Sequence, residues 1–345
     1  MPSVPSIGTK LGTGWSQFLK SAPLAGDDFA DVLRDQVRFR VLRAGSTDIA
    51  DVRPDSRTAA ELWERPETRR FVQGVLELAH RVSGAEAVPL KGFTLATSDV
   101  GYLANRAIHH FGPGVAPTTE AYEAGLKMAR RHISDTVAVR KGPWLHLGPE
   151  RSRGLVNALE HPGTARTELT PGLRSSLGHG VKTLLHELNH VGSDAPAPWI
   201  SEGKAEVLAR WPGRVVDAGE RMGIDVPRGV GRWADESGPY QEEVAAVRAL
   251  LRMAGLDSRR SKDFAAAEKL LNGTPPKRFT KAMAERIAER HGTTAAERND
   301  LRRRITDLID NRIAPDGVHA RTHAVQELAR ELEKSRRVRL AAKGD

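Results

Sequence analysis

Cysteine is absent from this chain, and that absence removes disulfide frameworks, thiolate nucleophiles and cysteine-built metal sites together. Any metal site must draw on histidine and carboxylate, a donor set that suits zinc. Aromatic residues are scarce at 5%, three of them tyrosines, and no basic-aromatic groove of the kind that stacks nucleic-acid bases is visible. No apolar run approaches the ~20 residues of a membrane span. The opening MPSVPSIGTKLGTGWSQFLK places Pro, Gly and Ser where a secretory signal needs an apolar core of roughly 7–15 residues. The expectation is a cytoplasmic protein with neither signal peptide nor membrane anchor.

The 345 residues suffice for two domains or one large one. The net charge of +9 rests on arginine-rich stretches such as LRRRIT and EKSRRVRL. Such a balance permits contact with nucleic acid or another acidic surface. The bases alternate with Glu and Asp along helical stretches, however, which reads as solvated helix faces. No nucleic-acid-binding motif accompanies the charge.

Periodicity divides the chain into four parts. Residues 1–28, rich in Gly, Ser and Pro, read as an N-terminal arm or loop. Residues 29–134 read as a mostly helical region, with helices over 27–43, 58–81 and 118–133, the last capped by Thr118 or Thr119. Residues 135–237 hold a short β element, DTVAVRKGPWLHLGPE, followed by helices over 173–191 and 199–211. Residues 238–345 form a basic helical C-terminal region, with helices expected over 238–255, 261–273, 276–292, 293–313 and 319–340. The fold class is therefore mainly α with a small β-sheet, an α+β protein.

The chemistry concentrates in KTLLHELNHVGSDAPAPWISEGKAEV, residues 182–207. On a helix, residues four apart stand about 40° apart around the axis and ~6 Å along it, so His186 and His190 can reach one ion. Glu187 lies roughly 100° round from His186, where it can hold and deprotonate a water activated by that ion. Leu177, Val181, Leu184, Leu188 and Val191 line the opposite face as an apolar stripe, and His179 and Thr183 extend the polar one. A catalytic zinc takes three protein ligands and leaves a fourth position open. Glu202 supplies the third at the start of the next helix, and Asp194 is the alternative. Glu206 faces the same way as Glu202, and buried glutamates on an apolar helix are uncommon unless paired.

HELNH followed by WISEGKAE resembles the gluzincin zinc metallopeptidases of the HExxH superfamily, the MA clan. The resemblance covers about residues 135–211 and implies a zincin-like catalytic core with helical N- and C-terminal parts. It implies one zinc per chain on His186, His190 and Glu202, Glu187 as general base, and Glu206 holding a ligand histidine from behind. It also implies an edge strand at Trp144, Leu145, His146 and Leu147 along which an extended peptide substrate pairs. His146 itself reads more simply as a surface histidine. Tyr240 is the tyrosine placed to stabilise the transition state, with a capping or packing role as its alternative. No exopeptidase motif is present, so an endopeptidase is implied. His109 and His110, ahead of a Gly-Pro-Gly loop, read either as cleft residues or as ordinary loop residues.

These residues leave three function classes open. The first is a zinc endopeptidase acting on a protein or peptide substrate. The second is a non-peptidase zinc hydrolase or a non-catalytic zinc protein, and the third is a structural or nucleic-acid-associated protein of a phage or mobile element that carries a zincin domain, catalytic or not. The basic C-terminal helices serve each reading as a docking surface for a partner.

Overall fold

A computed structural model describes residues 34–82, 89–98, 101–102, 105, 144–163, 169–192, 197–226, 240–292, 294–310 and 318–342. The arm at 1–28, the helix expected at 118–133, His109, His110 and Asp194 lie outside the described residues. The fold is mainly helical with one small mixed sheet, the α+β class expected.

The sheet runs β2-β1-β3-β4 and comprises β1 (Val37–Val41), β2 (Val52–Pro54), β3 (Gly92–Leu95) and β4 (Trp144–Leu147). β1 pairs antiparallel with β2 and β3, and β3 pairs parallel with β4. Period-2 alternation explains its two faces. Val37, Phe39, Val41, Phe93, Leu95, Leu145 and Leu147 enter the core, whereas Arg38, Arg40, Thr94 and His146 lie on the other side. Phe39 and Phe93 sit opposite each other with ring centroids 5.2 Å apart, and Phe71 meets Phe93 edge-on at 5.9 Å.

The structure corrects two expectations. Within the helix expected over 27–43, Val37–Val41 is a strand: VRFRV alternates β-branched or aromatic residues with arginine, the pattern of a half-buried strand. The single helix expected over 58–81 is two, α1 (Arg57–Trp63) and α2 (Pro66–Val82). Proline at the start of α2 disfavours the helical conformation for Arg65 before it and favours a new start. Among the described residues, three of the four strands come from residues 37–95, beside the helices α1 and α2 of the same region.

Against the sheet's apolar face lie α2, α3 (Pro149–Glu160) and α4 (Pro171–Gly192), with α6 (Arg214–Arg221) beside them. A second core gathers α7 (Gln241–Met253), α8 (Phe264–Leu271), α9 (Pro276–His291), α10 (Ala295–Ile309) and α11 (Val318–Ala341). Helix α5 (Pro198–Ala209) joins the two. Ile200, Val207 and Leu208 belong to the second core, and Ala209 to the first. Polar ties cross the same seam. Asn272 donates to Asn189 at 2.9 Å, and Glu268 of α8 meets Arg81 of α2 and Arg214 of α6 at 3.8 and 3.5 Å.

Gly203 sets how closely α5 approaches α7. A Cβ at this position would stand 2.6 Å from the Glu243 carbonyl oxygen and 2.7 Å from Val247 Cγ2. Gly203→Ala should therefore destabilise the protein by about 1–3 kcal/mol, as overpacking does. Calorimetric melting of the variant beside the parent checks this, and an unchanged midpoint would contradict the close packing.

Candidate metal centre

α4 is two-sided by sequence. Leu177, Val181, Leu184 and Leu188 are buried in the first core, while Lys182, His186 and His190, spaced at four, turn toward α5. α5 answers with Ser201, Glu202, Glu206 and Arg210. Glu206 and Arg210 are buried and meet partners in place of water, whereas Ser201 and Glu202 are only half-buried.

Three atoms converge. His186 Nε2 and His190 Nε2 lie 3.0 Å apart, and Glu202 Oε2 stands 3.3 Å from each. The far ring nitrogens fix what these atoms are. His186 Nδ1 is 2.7 Å from Glu206 Oε2, a carboxylate that only accepts, so Nδ1 carries the proton. In the neutral ring that leaves a lone pair on Nε2. His190 Nδ1 has the Ser201 hydroxyl at 3.1 Å, which orients its Nε2 into the same space. Two imidazole lone pairs and a carboxylate oxygen facing one another repel unless a proton or cation lies among them. Tetrahedral ligand atoms on bonds of about 2.0–2.1 Å stand about 3.3–3.4 Å apart, close to the spacing seen here. The residues fit a divalent cation.

Two carboxylates compete for the third ligand position. His186, Glu187 and His190 offer ligand atoms all within 4.8 Å of one another. Glu187 Oε1, however, is 3.8 Å from His186 Nε2, whereas Glu202 is equidistant from both histidines at tetrahedral spacing. Glu202 completes the triangle, and Glu187 stands beside it.

The charges follow this geometry. Burial alone would depress the His186 imidazolium, but hydrogen bonds to Glu202 and Glu206 and the charge of Glu187 push it up to about 9. Burial alone would raise Glu202, yet the two histidines lower it to about 2. Glu206 is 1% exposed, and His186, Lys182 and Arg210 together hold its carboxyl well below the usual range against the opposing effect of burial. Tyr240 stacks on His186 with ring centroids 5.8 Å apart and planes 12° apart. Burial and the charges of Glu202, Glu187 and Glu206 raise its phenol, so it keeps its proton.

Tyr240 sits just before α7 with φ 65° and ψ 29°, the one non-glycine residue in the left-handed region among the described residues. For a bulky side chain this conformation is strained, and strain of this kind gathers at functional sites.

Trp144, Leu145, His146 and Leu147 form β4, the last strand of the sheet among the described residues, and all four are buried. His146, read from sequence as a surface histidine, is 1% exposed; the alternation that turns it away from the core directs it into a second covered face, where it stacks on Trp144. Sequence reasoning missed Ser201, Lys182 and Arg210. The signal was present: Lys182 precedes His186 by one helical turn, and Arg210 follows Glu206 by one.

No protein-family model, no curated protein and no solved structure matches the chain. The chemistry of the centre is therefore read from its residues and their geometry.

The His186 shift gives a signed expectation. With the pKa raised in the folded, metal-free protein, the contribution to stability is full below the unfolded value near 6.5 and is lost as pH rises through about 9. At about pH 7.5 His186 holds a proton that a cation must displace, so metal titration should release about one proton from it. Calorimetry in two buffers of different ionisation enthalpy measures this. Heats that do not depend on the buffer would contradict the assignment.

Proposed function

We propose that this protein is a zinc-dependent metallopeptidase of gluzincin type, acting as an endopeptidase on a protein or peptide substrate. The observation that carries the reading is the triangle of His186 Nε2, His190 Nε2 and Glu202 Oε2, with a second glutamate, Glu187, beside it but outside it. Two nitrogens and one oxygen from three residues is the ligand count of a catalytic zinc site, which keeps one position for water or substrate. When bound, zinc supplies Lewis acidity, lowering the pKa of a water in that position and polarising the substrate carbonyl.

The chain's own groups do the rest. Glu187 takes a proton from the attacking water as its oxygen bonds to the carbonyl carbon. It then delivers that proton to the amide nitrogen as the C–N bond breaks, so the base in one half of the reaction is the acid in the other. Tyr240, protonated and stacked on His186, donates its phenol hydrogen to the oxyanion that forms on the carbonyl oxygen. Glu206 and Ser201 hold the two imidazoles in the orientation that keeps Nε2 toward the site. β4, last in the sheet order among the described residues, is the element along which an extended substrate would lie.

The purified protein should contain about one zinc per chain, as a three-ligand catalytic site requires. Glu187→Gln keeps size and one oxygen but removes the base. It should retain zinc while cleavage of a peptide library falls roughly 10²–10⁴-fold. His190→Ala should lose zinc and cleavage together. Elemental analysis with library digestion reads both. Full cleavage by Glu187→Gln would refute the mechanism, and bound zinc with no cleavage of any substrate would favour a scaffold carrying an idle zincin domain.

Replacing Tyr240 by Phe keeps the ring against His186 and removes only the donor. It should lower kcat by about 10²–10³-fold with KM nearly unchanged, the loss seen when one oxyanion donor is removed. An unaltered kcat in steady-state assays would leave Tyr240 as a packing residue.

A further inference from the structure

Behind His186 lies a buried group of charges that the proposed chemistry does not itself require. Glu206 Oε2 is committed to His186 Nδ1 at 2.7 Å. Its other oxygen, Oε1, meets Lys182 Nζ and also receives Arg210 Nε at 2.7 Å, with Arg210 Nη2 closing on the same atom. Lys182 and His186 are one turn apart on α4, and Glu206 and Arg210 are one turn apart along α5 and its C-terminal end. Each helix thus contributes one cation and one member of the His–Glu pair. All four residues are buried.

Two cations on one carboxylate oxygen exceed what a neighbouring histidine needs from its acceptor. A carboxylate held only by His186 could rotate about its terminal torsion, which is soft and roughly two-fold. Anchoring Oε1 from both helices removes that freedom and dedicates Oε2 to Nδ1. It also offsets the negative charge of Glu206 inside a low-dielectric seam, where an unpaired carboxylate would be strongly unfavourable. Lys and Arg are seldom fully buried unless paired, and here both are paired with the same carboxylate oxygen.

We propose that Lys182 and Arg210 are positioning residues of the metal centre: a two-helix cationic clamp that fixes Glu206, and through Glu206 the orientation of His186 toward its ligand. The proposal rests on the metal-centre reading above. It adds two residues that act only through Glu206 and touch neither metal nor substrate. Their whole effect on the centre should therefore vanish when Glu206 carries no charge to hold.

A double-mutant cycle on zinc affinity tests this. Zinc dissociation constants are measured by competition with a chromophoric chelator for the parent, Lys182→Met, Glu206→Gln and the double variant. Glu206→Gln should weaken binding about 10–100-fold and Lys182→Met by about 10-fold, the range for partners behind a ligand. The double variant should bind no more weakly than Glu206→Gln alone. The cobalt-loaded single variants should show the same shift of visible bands, because both disturb the same imidazole. Additive losses in the cycle would overturn the clamp, since Lys182 would then act independently of Glu206. If Lys182→Met fails to fold alone but folds once Glu206→Gln is present, the clamp is supported. Failure in both backgrounds overturns it. A parent protein that binds no zinc removes the metal-centre reading itself, and the clamp with it, whereas zinc binding with additive losses removes the clamp alone. The same cycle with Arg210→Gln is the independent second arm and carries the same outcomes.

Discussion

Two helices that are apolar on their outer sides press their polar sides together, and the contact between His186 and Glu206 is where they meet at hydrogen-bond distance. Everything around the site depends on that contact. α4 must be anchored in the first core by Leu177, Val181, Leu184 and Leu188 for its histidines to point at α5. α5 must be held in the second core by Ile200, Val207 and Leu208 for its glutamates to point back. The charged groups buried here draw partners from the facing helix, and Arg210 at the end of α5 adds one more to Glu206.

The seam also explains why so many unusual residues gather there. Gly203 lets α7 approach α5 until backbone meets backbone, and that approach delivers Tyr240 to the ring of His186 in a strained conformation. Asn189 and Asn272 hydrogen-bond across the same boundary, fixing the end of α4 against α8. Glu268 reaches back to Arg81 and Arg214 from the second core to the first. Small separations of the two cores would pull Glu202 from the histidines, so the triangle of His186, His190 and Glu202 is a property of the assembled chain.

Legibility in the sequence tracks periodicity and fails where periods are short or charges mislead. α4 and α5 are readable because a long apolar stripe leaves its opposite face free for His186, His190, Glu202 and Glu206. β1 is not, because five residues with two arginines give the period-2 signal little length, and β2 and β3 are shorter still. Lys182 and Arg210 look like members of an arginine-rich, solvated composition; only the approach of two helices shows that they are buried on a single carboxylate. His146 misleads for a related reason: alternation tells which side of the strand it takes, and nothing in one strand tells whether that side is covered. No described helix is long and apolar enough to cross a membrane, the part of the cellular reading that a fold can address.

The central claim is that His186, His190 and Glu202 form an open three-residue metal site. Diffraction from zinc-loaded crystals, recorded on both sides of the zinc absorption edge, tests it most directly. One anomalous peak per chain is expected, with both Nε2 atoms and a Glu202 oxygen about 2.0–2.1 Å from it and a fourth position taken by no protein atom. A fourth protein ligand closing the site, Glu187 bound in place of Glu202, or no peak among these residues would contradict it.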